Sequence, residues 1–207
     1  TLRVSGTFDD CQAIVKDAFS ESTFLKDDQF FLAVNSINWV RIIGQICYYF
    51  YACLKINKFD EPLNFSVPTG NFGNVFACYS AHKMGMPLNK ILVAVNNNNI
   101  LHRFFSDNDY SRSKVSETIS PSMDISIASN FERLIYDFYS ERNSEICNSF
   151  YENFPESPIK LDNQMWEKSK ELFLSYSVDD FSTIEAMKNI SESYDYLIDP
   201  HTAVASQ

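Results

Sequence analysis

Asn64-Phe65-Ser66-Val67-Pro68-Thr69-Gly70-Asn71-Phe72-Gly73-Asn74 is the stretch that decides the fold. Asn64 to Val67 reads as a short strand and Asn74 to Met84 as a helix. Lys90 to Val95 reads as the next strand, with Gly85 and Pro87 stopping the helix between them. Strand, helix and strand in so few residues predict a parallel βαβ unit, since parallel neighbours need a crossover. Between the first strand and the helix, Gly70 and Gly73 permit a tight turn that presents backbone N–H groups. The helix N-terminus adds partial positive charge, so the loop suits a bound phosphate. It lacks the Gly-Lys-Ser or Gly-Lys-Thr of a nucleoside-triphosphate loop and the GxGxxG of a dinucleotide fold. The residue pattern alone leaves a plain turn and a phosphate cradle both open.

Upstream, Leu2 to Val4 predicts a strand. Thr7 is placed to cap a helix with Asp9 and Asp10 in its first turn, ahead of the apolar spacing Cys11, Ile14, Val15, Ala18. Phe30 to Val34 predicts another strand, and Ile37 to about Lys55 a long aromatic helix. Downstream of Asp107 the texture changes. Ser111 to Ser122 is polar, and Asn130 to Ser193 carries helical patterns without convincing strands. Tyr196 to Ile198 predicts a brief strand, and Asp199-Pro200-His201-Thr202-Ala203 a loop that opens a helix. The organisation expected is an α/β part over 1–110, a mostly helical insertion over 111–195 and an incomplete return segment over 196–207. Asn96 to Asn99 reads as a polar loop whose amides bond backbone groups.

Composition narrows the functional classes. With 207 residues and 45% hydrophobic content the chain can bury a substantial core. Lys and Arg total 17 against 27 Asp and Glu, a formal net charge of −10, which disfavours nucleic acid and anionic membranes as partners. Five cysteines without a CxxC pair and three scattered histidines indicate neither a zinc site nor a disulfide framework, hence a reducing compartment, read as cytoplasmic with a plastid left open. Ile42 to Ile56 is too short to span a bilayer and contains Gly44 and Gln45, so it reads as a buried helix. The aromatic run Tyr48 to Tyr51 reads as core packing or a homodimer surface.

Val67 to Asn74 closely resembles the cofactor-phosphate loop of threonine synthases. Further blocks agree in order: Gly6 to Gln12, Asn35 to Arg41, Ser120 to Ile125, Ser129 to Arg133 and Asp199 to Val204. The resemblance implies a fold-type II enzyme that uses pyridoxal 5'-phosphate to convert O-phosphohomoserine and water to threonine and phosphate. It implies that Gly70, Asn71, Phe72, Gly73 and Asn74 cradle the cofactor phosphate chiefly through backbone groups, with Thr69 nearby. It also implies that Asn35, Ser36 and Arg41 hold the substrate phosphate, where a guanidinium offers a permanently charged fork. From the residues alone, Asn35 and Ser36 equally fit helix capping, Arg41 an ordinary ion pair, and His201 a structural hydrogen bond.

The family's cofactor-bearing lysine has no match in the chain. Phe24-Leu25-Lys26-Asp27 resembles the family's Phe-Lys-Asp only superficially, because it follows Gly6 to Gln12 whereas the family's lysine precedes that block. Lys26 therefore reads as a solvated loop residue. The chain is expected to be the C-terminal part of a longer enzyme, inactive by itself and exposing apolar surface where missing strands would pack. Two other readings stand beside it: a noncatalytic module that keeps phosphate or cofactor affinity, and a different fold-type II reaction such as β-replacement. Asn35 to Arg41 argues against the second, since a phosphate-free substrate has no use for an extra cation.

Overall fold

In a computed structural model, residues 3–6, 8–21, 25–26, 28–35, 37–56, 59–139 and 144–207 are described. Their centre is a parallel sheet of three strands, β1 (Leu63–Pro68), β2 (Leu88–Val95) and β3 (Phe173–Ser177), in the order β1-β2-β3. α3 (Gly73–Lys83) is the crossover from β1 to β2, so the βαβ unit forms where the sequence predicts it. Register pairs Val67 with Val93 in one ladder and Val95 with Ser177 in the other. Thr69 N–H donates to the Ala94 carbonyl at 3.0 Å, which carries the β1–β2 ladder one residue into the loop. All three strands therefore end at the same edge, and in open parallel sheets that edge is where ligands bind.

Helices surround the sheet: α1 (Phe8–Ser20), α2 (Trp39–Ile56), α4 (Ile100–Asp107), α5 (Phe131–Tyr139), α6 (Ser144–Glu152), α7 (Asn163–Lys170), α8 (Asp180–Tyr194) and α9 (Pro200–Val204). Local chemistry sets several starts. Asp162, Asp179 and Asp199 are N-caps whose carboxylates accept from Met165, Ser182 and His201 N–H. The long aromatic helix begins at Trp39, two residues later than predicted, because Asn38 is its cap and accepts from Val40 N–H at 2.9 Å. None of the described helices is long and apolar enough to cross a membrane.

Three strand expectations fail and one strand was missed. Of the Leu2 to Val4 strand, Leu2 lies outside the described residues, as does the cap at Thr7, while Arg3 and Val4 are not strand. Phe30 to Val34 is not a strand: Phe31 rests on Phe19 at 5.3 Å, the Ala33 and Val34 carbonyls accept from Asn38 and Arg41 side chains, and Phe30, Leu32 and Val34 are exposed. Tyr196 to Ile198 likewise joins no strand among the described residues; Tyr196 and Leu197 are exposed and Ile198 packs with Ala186 and Ala203. β-Propensity measures fit to a neighbouring strand, and neither segment has one among the described residues. Conversely, Phe173–Ser177, in the stretch read as lacking strands, is β3, paired with β2 across a long connection.

An aromatic core joins the layers. Phe72, Phe104, Phe105, Tyr110, Phe131 and Phe173 are all buried. Phe131 lies 4.5 Å from Tyr110 and 4.6 Å from Phe104, and Phe105 lies 5.0 Å from Phe173. Aromatic pairs add about 0.5–1.5 kcal/mol beyond their buried area. Phe131→Ala should lower the free energy of urea unfolding by about 3–5 kcal/mol. A loss below about 1 kcal/mol would mean that the cluster does not hold α5 to the sheet.

Candidate functional site

At the carboxyl end of β1, the chain turns through Thr69-Gly70-Asn71-Phe72 into α3. Phe72 precedes the helix with φ 65°, a left-handed conformation rare for a bulky residue, and its ring is fully buried against Phe131 at 5.4 Å. Its amide donates to Thr69 Oγ1 at 3.1 Å, and Thr69 Oγ1 donates to Asn74 Oδ1 at 2.6 Å. Asn74 Nδ2 returns to the Pro68 carbonyl. Thr69, Phe72 and Asn74 are thus a clasp that shapes the loop through their side chains. In contrast, the N–H groups of Gly70, Asn71, Gly73 and Asn74 have no protein acceptor among the described residues. Gly70 and Gly73 are buried, and Asn71 and Asn74 half-buried. Four unmatched donors at the positive end of a helix are the chemistry of an oxyanion receptor.

Gly70 also shows how tight the turn is. A Cβ there would lie 3.0 Å from the Met123 Cα and 3.0 Å from the Ser122 carbonyl oxygen, both backbone atoms. The Ser120–Ile125 block therefore forms one wall. Asn96 and Asn98, buried after β2, fix it: Asn96 Nδ2, Asn98 Nδ2 and Thr118 Oγ1 donate to Asp124 Oδ1 at 2.8, 2.9 and 2.7 Å, and Thr118 N–H donates to Oδ2 at 2.9 Å. The asparagine amides also bond backbone groups, as the sequence predicts: Asn96 Oδ1 accepts Asn98 N–H at 2.9 Å, Asn98 Oδ1 accepts Ser116 N–H at 2.8 Å and Asn98 Nδ2 donates to the Ser116 carbonyl at 2.8 Å. His201 Nε2 accepts Ser122 N–H at 3.2 Å and its Nδ1 meets Asp199 Oδ1 at 3.0 Å. His201 positions the wall.

A second wall comes from Ser129–Arg133. Asn130 N–H and Nδ2 each donate to the Asn71 carbonyl at 3.1 Å, and Ser129 Oγ donates to Asn71 Oδ1 at 3.2 Å. Arg133 Nε donates to Asn130 Oδ1 at 2.9 Å, Arg133 Nη2 donates to the Ile37 carbonyl at 2.7 Å, and its guanidinium lies 5.1 Å from the Trp39 ring. Arg133 thereby ties the loop to the segment before α2. In that segment Asn35 Oδ1 accepts Ile37 N–H at 2.8 Å, and exposed Arg41 donates to the Val34 carbonyl at 3.3 Å. Ser36 lies outside the described residues. Asn35 and Arg41 thus sit together, linked to the 69–74 loop through Arg133 and Asn130. Sequence reasoning left Arg133 without a role, although its place in a quoted block was a signal. Lys26 is exposed, as read, and no cluster of metal-ligating side chains occurs among the described residues.

No protein-family model matches the chain. Over 204 residues it is 44% identical to the threonine synthase of Pseudomonas aeruginosa, an alignment covering 98% of the chain and 43% of that protein. The crystal structure of pyridoxal-phosphate-bound threonine synthase from Brucella melitensis superposes with a TM-score of 0.87 at 36% identity, covering 97% of the chain and 43% of its counterpart. The yeast threonine synthase structure gives 0.85 at 41% identity, covering 99% and 43%. The chain is similar to threonine synthases along nearly all its residues and spans less than half the length of these relatives. Its fold is the fold-type II α/β arrangement of the matching part of those proteins.

Asp199 makes the wall at Ser122 sensitive to acid. Its carboxylate is held down to about 2, chiefly by the Thr202 hydroxyl and then by His201 and the α9 amides, against partial burial. An unfolded Asp titrates near about 3.9, so the unfolded chain takes the proton first as pH falls. The cap's contribution is whole above about pH 4 and fades toward about pH 2. Backbone chemical shifts of His201 and Thr202 should move from helical toward coil values over that window, and in Asp199→Ala should be coil-like throughout. Shifts that stay helical at about pH 2 would remove Asp199 as the controlling cap.

Proposed function

We propose that the chain is the cofactor-phosphate part of a threonine synthase-like lyase that uses pyridoxal 5'-phosphate and acts on O-phosphohomoserine. The observation that carries this reading is the set of four acceptor-free amides, Gly70, Asn71, Gly73 and Asn74, at the start of α3. A dianionic phosphate matches that set in charge and donor count, and the backbone approach at Gly70 leaves no room for a side chain in its place. The relative from Brucella melitensis binds pyridoxal phosphate in a fold closely superposable on this one, which supports extending the cofactor to this chain.

When bound, the cofactor supplies an electron sink for carbanion chemistry at the substrate. The chain's own residues bind and orient. The four amides grip the phosphate, and Thr69, Phe72 and Asn74 keep them aimed through the clasp. Met123 and Ser122 close the loop from one side, and Asn130 fixes the Asn71 peptide from the other. Asn35, Ser36 and Arg41 are the proposed receivers of the substrate phosphate, with the Arg41 guanidinium as the permanent cation. The lysine that would carry the cofactor is proposed to come from chain outside these 207 residues, which by themselves would turn nothing over. Reading the coding sequence upstream of Thr1 tests that point directly.

The phosphate grip has its own assay. In the full-length polypeptide, titration followed by absorbance should show pyridoxal 5'-phosphate binding at least about a hundredfold more tightly than unphosphorylated pyridoxal. Gly70→Ala should shrink that ratio by roughly tenfold or more, because the loop must move away from Met123 to admit the methyl group. Equal affinity for the two aldehydes would end the proposal.

Arg41→Met tests the substrate assignment separately. It should raise KM for O-phosphohomoserine by roughly tenfold or more, while cofactor affinity stays unchanged. An unchanged KM would leave Arg41 as a surface residue, whereas a full-length polypeptide that releases no phosphate from O-phosphohomoserine would put the noncatalytic binding module first.

A further inference from the structure

Arg133, near the start of α5, takes part in no ion pair among the described residues, although the chain carries 27 Asp and Glu. Its donors go instead to two neutral oxygens, Nε to Asn130 Oδ1 at 2.9 Å and Nη2 to the Ile37 carbonyl at 2.7 Å. Hydrogen bonds from a charged donor are about twice as strong as neutral ones, so both contacts are firm. They end in the two segments proposed above to receive phosphate groups. We infer that Arg133 is a positioning residue that couples those segments: occupancy of the 69–74 loop by the cofactor phosphate sets the Asn35–Arg41 segment for the substrate phosphate, and the converse holds by linkage.

On the loop side the coupling works through the Asn130 amide. A guanidinium carries donors only, so Asn130 must turn its oxygen to Arg133 and its Nδ2 to the Asn71 carbonyl, 3.1 Å away. Flipped, it would set oxygen against oxygen at that carbonyl. The Asn71–Phe72 peptide is thereby held at both ends, its carbonyl by Asn130 and its N–H by Thr69 Oγ1 at 3.1 Å. This peptide lies between the open amides of Asn71 and Gly73, so its orientation sets theirs.

The other side repeats the arrangement. The Ile37–Asn38 peptide gives its carbonyl to Arg133 and its N–H to the Asn35 carbonyl at 2.9 Å. Around it, Asn35 Oδ1 accepts Ile37 N–H at 2.8 Å and Arg41 N–H donates to the Asn38 carbonyl at 3.0 Å. One planar guanidinium thus closes one peptide in each segment, and a displacement of either is passed to the other through a rigid fork. Trp39, 5.1 Å from the guanidinium, braces that fork.

The inference rests on the proposed cofactor reading, and its test separates the two. Hydrogen exchange read by mass spectrometry is measured on the full-length polypeptide at saturating cofactor, without substrate. Pyridoxal 5'-phosphate should slow exchange in both 69–74 and 35–41 by roughly threefold or more, and unphosphorylated pyridoxal should slow neither. In Arg133→Met the cofactor should still protect 69–74 and no longer protect 35–41. Arg133→Lys, which keeps the charge without the planar fork, should lose the same response while remaining folded by circular dichroism. Arg133 lines a groove of about 710 Å³, so guanidinium ion can enter the space left in Arg133→Ala and should restore the response at 35–41. A purely structural role would lower protection with and without cofactor and leave the cofactor-induced change intact. Protection of 35–41 that survives in either Arg133→Met or Arg133→Lys, or a wild-type response confined to 69–74, would overturn the inference and leave the cofactor reading standing. A loop at 69–74 indifferent to pyridoxal 5'-phosphate would remove that reading and the inference with it.

Discussion

The organisation at the end of β1 depends on holding one bulky residue, Phe72, in a left-handed backbone conformation. That geometry costs about 1–2 kcal/mol for a residue with a Cβ. Burying an aromatic ring contributes about 1.5–3 kcal/mol, and stacking against neighbours adds to it. Phe72 is fully buried among Phe105, Phe131 and Phe173, so core packing outweighs the local strain. The consequence is that the amides on either side of Phe72 are aimed before any ligand arrives. A preformed receptor loses less conformational entropy on binding than a loop that must order itself.

How much of this was legible in the sequence follows from how local each interaction is. The βαβ unit could be read because strand, turn and helix each carry their signal within a few residues, from Asn64 to Val95. The phosphate loop could be read as a class from Gly70, Gly73 and the flanking elements, and as a family feature from the whole run Val67 to Asn74. Its division of labour could not. That Thr69, Phe72 and the Asn74 side chain shape the loop while four amides remain open is set by a buried ring and three side-chain bonds, none visible in residue order.

The misses share a cause. β3 is five residues with two serines, flanked by the helical patterns of α7 and α8, and it becomes a strand because β2 offers a parallel edge about eighty positions earlier in the chain. Phe30 to Val34 has stronger β-formers and no such edge among the described residues. Strand formation is a property of the pair, so intrinsic preference misleads where pairing is distant. The asparagine run shows the same limit. Its sequence announces polarity, but only the arrival of Thr118 and Asp124 turns Asn96 and Asn98 into buried supports for the wall over Gly70.

A chain of net charge −10 that is to receive phosphate groups must defeat its own field near the site. Distant carboxylates matter little, because screening at physiological ionic strength attenuates them beyond about 8 Å. Two acids that support the wall over Gly70 are engaged within the fold: Asp124 accepts four hydrogen bonds from Asn96, Asn98 and Thr118, and Asp199 is engaged by His201, Thr202 and the start of α9. Their charge is directed into the fold. On the opposite side, the Asn71 carbonyl, which would repel an oxyanion if it swung inward, is pinned outward by two donors from Asn130, itself anchored by Arg133. The same hydrogen bonds that build the walls thus remove the nearby acceptors from the loop's field. What is left facing the end of β1 is a set of N–H groups and the positive end of α3, an anion-selective surface on an acidic protein.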